Sequence, residues 1–397
     1  ADPAPRQELE QLFGLPPGGA SRLVFGSPRW DEAQLGRIDS VEFWADVGQR
    51  LGLDAGKLEE FRRAFWAGDR LDEELIALIR YLRDAGYHTA LLSNNPASLR
   101  QRVQQLGIDD AFGVVVISGC EGLMKPDPAI FERTLARVGV RAEQAVFVDD
   151  SQVHVAAARQ VGLQATRFRG LTPLRKWLRG LGVPLPERPL APLPDVRALI
   201  FDWGGVIEGL PDEARIAELE RRLALAPGAL SEVLWGELWR QLSTGAIAKG
   251  DYVQGIAARL GLPDVETARR LLEELYAGDR FNPAVVAAAR ALRDRYKVAL
   301  LTNASHGQDE RILEQFGIDV HTEFDAYVNS AYVGLRKPDP AIFRLTLGRL
   351  DVAPQQALLL DDMLRNVDSA RELGIHTVQF VDPDASLAEL EALLAIR

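Results

Sequence analysis

Apolar residues along this chain recur in two rhythms. Over residues 6 to 86 and 212 to 296 they return every three to four positions, as in Ile216 to Leu225 and Val265 to Tyr276, which predicts helices with one buried stripe. Short unbroken apolar runs follow. In the later part of the chain they are Ala198 to Phe201, Val298 to Leu301, Ala326 to Asn329, Ala357 to Leu360 and Thr377 to Phe380, with helical stretches such as Ala341 to Leu350 and Val367 to Leu373 between them. Continuous apolar runs suit strands covered on both faces, and their alternation with helices predicts a parallel, doubly wound sheet of the Rossmann-like α/β class. Ligands in such sheets sit beyond the carboxyl ends of the strands. Asp202, Thr302 with Asn303, Lys337, and Asp361 with Asp362 all stand at such positions and are predicted to converge on one edge of one sheet.

The pattern is written twice, at an offset of about 210 residues. Arg50-Leu-Gly-Leu53 returns as Arg259-Leu-Gly-Leu262, Ala67-Gly-Asp-Arg70 as Ala277-Gly-Asp-Arg280, and Leu91-Leu-Ser-Asn94 as Leu300-Leu-Thr-Asn303. Lys125-Pro-Asp-Pro-Ala-Ile-Phe131 returns as Lys337-Pro-Asp-Pro-Ala-Ile-Phe343, and Val148-Asp-Asp150 as Leu360-Asp-Asp362. Each unit is large enough for its own core, so the repeat predicts two tandem domains. Five prolines between Gly182 and Pro194 predict a stiff connector. The expected organisation is a first domain over 1–183 (helical part about 1–82, core about 83–183), a linker over 184–194 and a second domain over 195–397. The two halves are also candidates for an intrachain pseudo-dimer.

Composition narrows the function. With 397 residues and 47% hydrophobic content the chain can fill two cores, yet its apolar runs are far too short to span a bilayer. The lone Cys120 excludes an internal disulfide, and no basic-then-apolar signal opens the sequence, so the expected compartment is the cytoplasm. A net charge of -11 argues against a polyanion-binding surface and hence against nucleic acid as partner. A small anionic substrate held by a metal ion and one lysine remains compatible with it.

The convergent residues suggest the chemistry. Three carboxylates near one point repel each other, and oxygen-only ligands favour Mg²⁺ as the compensating cation. Asp202 then has one oxygen for the metal and one to attack phosphorus, giving an acyl-phosphate. The Thr302 hydroxyl and the backbone amides of Trp203 and Gly204 are candidate donors to the phosphoryl oxygens, and Lys337 would neutralise developing charge.

Asp202 with Gly204, Thr302, Lys337 and the Asp361-Asp362 pair resemble the four motifs of the haloacid dehalogenase superfamily, in order and at the right relation to strands, and two such units cover the whole chain. Lys-Pro-Asp-Pro-Ala-Ile-Phe and the Asp-Asp pair look most like the branch holding sugar-phosphate phosphatases and the phosphatase domain of epoxide hydrolases. The resemblance implies a Mg²⁺-dependent phosphomonoester hydrolase acting on a small phosphorylated metabolite, with Asp202 as nucleophile. It implies metal ligation by Asp202, the Gly204 carbonyl, Asp361 and Asp362, phosphate binding by Trp203, Gly204, Thr302, Asn303 and Lys337, and a helical cap over about 208–290. A 2-haloacid dehalogenase using the same aspartate on carbon is the alternative chemistry, disfavoured by the Asp pair. A non-catalytic binding or scaffolding protein is the alternative of another class.

Two departures stand out. Where phosphatases of this family carry a second aspartate as general acid and base, this chain has Gly204, which predicts weaker turnover. The first half keeps Ser93, Asn94, Lys125, Asp149 and Asp150, with His154 in place of Asn366, but the counterpart of Asp202 would fall about eight positions before Ala1. The expectation is that the sequence begins downstream of the natural start or that another segment fills the gap, since the missing strand is the central one. Structural readings stand beside the chemical ones: Asp202, Asp361 and Asp362 as helix or turn caps, Lys337 as a loop lysine, the first-half set as a remnant, and Trp235 and Trp239 as core residues on one helix face. His306 is a further candidate for the pocket, and Cys120 is expected to be inert.

Overall fold

The structure, a computed structural model, describes residues 4–16, 18–186, 190–278 and 281–395. Parts of the expected linker (187–189) and of the second Ala-Gly-Asp-Arg repeat (279–280) lie outside these. Contacts divide the chain into two compact units, Ala1–Leu171 and Thr172–Arg397. The helix Leu171–Gly180 thus goes almost wholly with the second unit, where its Lys176 pairs with Asp382. No helix among the described residues is long and apolar enough to cross a membrane.

Among the described residues four strands belong to the first unit: β1 (Ala90–Ser93), β2 (Val114–Ile117), β3 (Val146–Asp149) and β4 (Gln164–Arg167). Five belong to the second: β5 (Ala198–Phe201), β6 (Lys297–Thr302), β7 (Ala326–Asn329), β8 (Ala357–Asp361) and β9 (His376–Gln379). The second unit is one parallel sheet in the order β7-β6-β5-β8-β9. Its strands are buried on both sides because successive apolar residues serve different cores. Leu199, Phe201, Val298, Leu300, Leu358 and Leu360 enter one cluster with Val285, Val286 and Ala289. Ala198, Ile200, Ala299, Leu301, Ala357 and Leu359 enter the other with Ile342 and Phe343. This is the sequence-level reason for unbroken apolar runs and for the doubly wound fold.

Register does the rest. Phe201 lies opposite Leu300 on one side and Leu360 on the other, so the next residue, Asp202, comes level with Leu301 and Asp361 at the carboxyl edge. The helices Glu213–Arg222, Ala229–Trp235, Glu237–Ser243, Lys249–Arg259 and Val265–Tyr276, in the stretch expected to form the cap, share their own apolar centre. The helix Pro283–Leu292, most of which the resemblance places in the cap, lays Val285, Val286 and Ala289 on the sheet. An amphipathic stripe does not say which core it faces.

The first unit repeats this plan incompletely. β1 pairs in parallel with β2, and β3 with β4, as two separate two-stranded sheets, and among the described residues no strand joins β1 to β3. Where β6 and β8 are buried almost throughout, β1 and β3 are at best half-buried. The expected single doubly wound core is therefore present here in two pieces. Its early helices, from Ala4–Leu12 to Ala55–Trp66, still share an aromatic-rich centre that includes Phe43, Phe61 and Phe65. The helix Glu73–Asp84 turns Ile76 to a different cluster with Val103 and Ile108.

Candidate active site

Lys337 is the hub. Its ammonium, fully buried, reaches Asp202 Oδ2 at 2.8 Å and Asp361 Oδ2 at 2.6 Å, and donates to the Leu301 carbonyl at 3.0 Å. All three of its protons are thus used, which fixes the ammonium between two carboxylates. The loop that delivers it is clamped by Asn303, whose Nδ2 donates to the Lys337 carbonyl and whose Oδ1 accepts from the Lys337 N–H, both at 2.8 Å. Just beyond, Asp339 accepts from Ala341 N–H and caps the helix Pro340–Leu350, with proline at its first position.

Asp361, also fully buried, accepts from Met363 N–H at 2.9 Å and from Asn366 Nδ2 at 2.8 Å on Oδ1. With Lys337 on its other oxygen it is saturated. Asp202 accepts from Trp203 N–H at 2.7 Å on Oδ1. One carboxylate oxygen from each of Asp202, Asp361 and Asp362 lies within 4.8 Å of the others. The Asp362 carboxylate rests directly on Gly205: a Cβ there would stand 2.4 Å from its carboxyl carbon, and the backbone has φ 81. Only glycine leaves that space and takes that conformation without strain.

Burial pushes the Asp202 carboxyl well above its ordinary range, and the charges of Asp361 and Asp362 push the same way against the pull of Lys337. For Lys337 burial acts to discharge the ammonium, but Asp202 and Asp361 overcome it and hold its pKa above the usual lysine value. Three carboxylates set against one ammonium leave the site short of positive charge. The donor set is all oxygen, the Gly205 cradle holds Asp362 towards it, and both features fit a hard divalent cation such as Mg²⁺.

Thr302, at the end of β6, is buried, and its hydroxyl has no protein partner among the described residues. Gly204 has open surroundings, with only Leu210 Cδ2 within reach of an added Cβ, at 3.8 Å. His306 is exposed and packs at a tilt against the Tyr332 ring, with centroids 5.2 Å apart. Trp235 and Trp239 pack on the cap's centre, Trp239 edge-on to Tyr252, which is the structural reading. Cys120 is exposed and unpaired.

Sequence reasoning missed Glu208. It is buried, accepts from the Trp203 indole N–H and from Arg311, and its backbone bridges Gly204 and Phe281, where the chain leaves and re-enters the sheet domain. Asn282 ties the same crossing by donating to the Val206 carbonyl at 2.6 Å. The available signal was one acid directly after the apolar pair Val206-Ile207. Glu208 holds the Trp203 side chain, and with it the backbone N–H aimed at Asp202.

The first unit brings its own set together with similar geometry. Lys125 reaches Asp149 at 2.5 Å and the Leu92 carbonyl at 3.0 Å, Asn94 clamps the Lys125 backbone at 2.7 and 2.8 Å, and Ser151 N–H donates to Asp149 at 2.9 Å. His154 takes the place of Asn366, with Nδ1 3.0 Å from Asp149 Oδ1. Ser93 accepts from Asn95, and Asp150 points out to solvent. Among the described residues nothing stands where Asp202 would.

A parallel doubly wound sheet with this carboxylate-lysine site at its carboxyl edge defines the class of hydrolase cores to which the resemblance pointed. The sequence profile of the haloacid dehalogenase-like hydrolases matches residues 3–162 and 196–374, and the chain belongs to that family as a tandem pair. The mouse protein named acyl-CoA dehydrogenase family member 10 is 31% identical over 207 residues, 50% of this chain and 19% of that protein. Pig bifunctional epoxide hydrolase 2 is 26% identical over 223 residues, 51% of this chain and 39% of that protein. The chain thus spans less than half the length of both. Sesquiterpene phosphatase astK of Aspergillus oryzae is 26% identical over 141 residues, 35% of this chain and 72% of the phosphatase. Among solved structures, a haloacid dehalogenase family enzyme from Bacteroides thetaiotaomicron in complex with magnesium and inorganic phosphate aligns with TM-score 0.38 and 21% identity, over 46% of this chain and 93% of that one.

Proposed function

We propose that the second unit is a magnesium-dependent phosphomonoester hydrolase that works through an aspartyl-phosphate on Asp202, with a small phosphorylated metabolite as substrate. The observation that carries this reading is Asp202 itself: a buried carboxylate 2.8 Å from Lys337 and grouped with Asp361 and Asp362 at the sheet edge. The relative named as a sesquiterpene phosphatase supports the reaction class. Asp202 Oδ2 is the attacking atom, held by Lys337, while Trp203 N–H fixes the other oxygen. Thr302 and the backbone N–H groups around Gly204 and Asn303 receive the phosphoryl oxygens, and the Lys337 charge, held in place by Asp202, Asp361 and the Leu301 carbonyl, offsets the charge that develops on them. The Asn303 side chain serves the Lys337 loop and leaves phosphate to its backbone. Asp202, the Gly204 carbonyl and Asp362 would hold Mg²⁺, with Asp361 beside them, saturated by N–H donors and orienting Lys337. When bound, the cation supplies charge neutralisation that lets Asp202 stay ionised beside two other carboxylates. Gly204 leaves protonation of the leaving group to water, which slows turnover of poor leaving groups. Among the described residues of the first unit Lys125 pairs with Asp149, and the proposed chemistry is assigned to the second unit alone.

Hydrolysis of para-nitrophenyl phosphate with and without Mg²⁺, by the wild type and by Asp202→Asn, tests the reading. Metal-dependent turnover that vanishes in the variant is expected. No turnover, or a variant equal to wild type, sinks it.

A further inference from the structure

Arginines collect beside the Lys337 loop. Arg336 directly precedes Lys337, and its Nε is buried with no hydrogen-bond partner, a costly state for a guanidinium nitrogen. Arg365 sits in the first turn of the helix Leu364–Glu372, which begins three residues after Asp361. Arg240 comes from the cap helix Glu237–Ser243, which packs on Ser330–Val333 just past β7, where the Gly245 backbone also meets the Ala331 carbonyl. Burial and the charges of Arg365 and Arg240 lower the Arg336 pKa to about 10, opposed by Glu237. Glu237 is the one acid in the group, and it pairs with Arg240 through both oxygens at 2.8 and 2.6 Å. Three guanidinium groups against one carboxylate leave a positive surplus where cap and sheet meet.

A buried guanidinium nitrogen without a hydrogen-bond partner, set near two other arginines, is the kind of donor that planar anions fill. We propose that Arg240, Arg336 and Arg365 form a second anion subsite beside the Asp202 centre, which takes the carboxylate or second phosphate of a doubly anionic phosphoester. This rests on the reading of Asp202 as the phosphoryl-handling residue and adds the substrate class. The cap contributes Arg240, so the second anion also links substrate charge to closure of the cap helix on the sheet.

The test is binding of non-hydrolysable phosphonates to the full chain in magnesium buffer, by calorimetry. Methylphosphonate carries one anionic group, phosphonoacetate adds a carboxylate, and methylenediphosphonate adds a second phosphonate. Wild type is expected to bind at least one doubly anionic probe on the order of ten- to a hundred-fold more tightly than methylphosphonate; which probe wins names the second group. Arg336→Ala and the exposed-site variant Arg240→Ala are each expected to erase most of that preference while leaving methylphosphonate affinity unchanged. Equal affinities in wild type, absent binding of both doubly anionic probes, or a preference that survives in both variants overturns the subsite. Para-nitrophenyl phosphate has no second anion, so its turnover reports separately on the phosphatase reading.

Discussion

The two halves of this chain hold nearly the same hydrogen-bonded frame around unlike charge. Lys125 and Lys337 both donate to a strand carbonyl at 3.0 Å, both are clamped by an asparagine through the backbone, and both pair with the first aspartate of an Asp-Asp motif. What differs is the strand between. In the second half β5 fills the centre of the sheet and adds Asp202, so one lysine is set among three carboxylates; in the first half, among the described residues, Lys125 pairs with Asp149, which His154 also contacts. The frame is therefore a local property of the Lys-Pro-Asp-Pro and Asp-Asp loops, and the surplus of carboxylates over lysine is a property of the central strand. The pKa directions agree: burial and its fellow carboxylates raise Asp202, whereas Asp149, despite burial, is held well below the ordinary range by His154 and Lys125.

The sharpest break of this comparison is at the carboxylates themselves. Asp202→Asn is expected to lower kcat on para-nitrophenyl phosphate by about 10⁴-fold or more, and Asp149→Asn to leave it within about twofold, by steady-state assay. Loss of turnover on Asp149→Asn would show that the first half takes part. A gain comes next. Because a Cβ at residue 204 meets only Leu210, Gly204→Asp is expected to fold normally and raise turnover of a poor leaving group by roughly 10²–10⁴-fold. An unchanged rate would show that another group already supplies the proton.

Stability sharpens the contrast further. Lys337→Met strands two buried carboxylates and is expected to cost about 3–5 kcal/mol in denaturant unfolding, against a smaller loss for Lys125→Met, which strands one. Mg²⁺ at about a hundred times its Kd is expected to stabilise the second unit by about 2.7 kcal/mol in thermal unfolding, an increment lost in Asp362→Asn and kept in Asp150→Asn. Equal behaviour of the two variants would place the ion elsewhere. The smallest effect is on pH. The folded-state pKa of Asp149 lies below its unfolded value near 3.9, so its contribution is complete above that value and drains away as pH falls. Asp149→Asn is expected to flatten the acid limb of the first unit's unfolding curve.

Much of this was legible from residues alone. The all-apolar run Ala198 to Phe201 announced a strand buried on both faces because its neighbours in sequence serve opposite faces, and the repeat announced two units because motif order survived duplication. The positions of Asp202, Thr302, Lys337 and Asp361 followed from the rule that such sheets present ligands at their carboxyl edge. Which core the helices Pro283–Leu292 and Glu73–Asp84 face was not legible, since their stripes suit either. Glu208 was hidden for a related reason: its partners Trp203 and Arg311 lie 5 and 103 residues away, and only the fold brings them to one carboxylate.

By itself, then, the order of residues determined the strand–helix alternation, the tandem plan and the identity of the chemical groups, because these depend on local periodicity and short motifs. Tertiary structure alone decided which of those groups meet. The register of β5 against β6 and β8 sets Asp202 level with Asp361, the Gly205 backbone leaves room for Asp362, and the cap brings Arg240 to Arg336. Charge balance at a buried point is a sum over residues distant in sequence. The same motifs yield a lysine–carboxylate pair in one half and a lysine set among three carboxylates in the other.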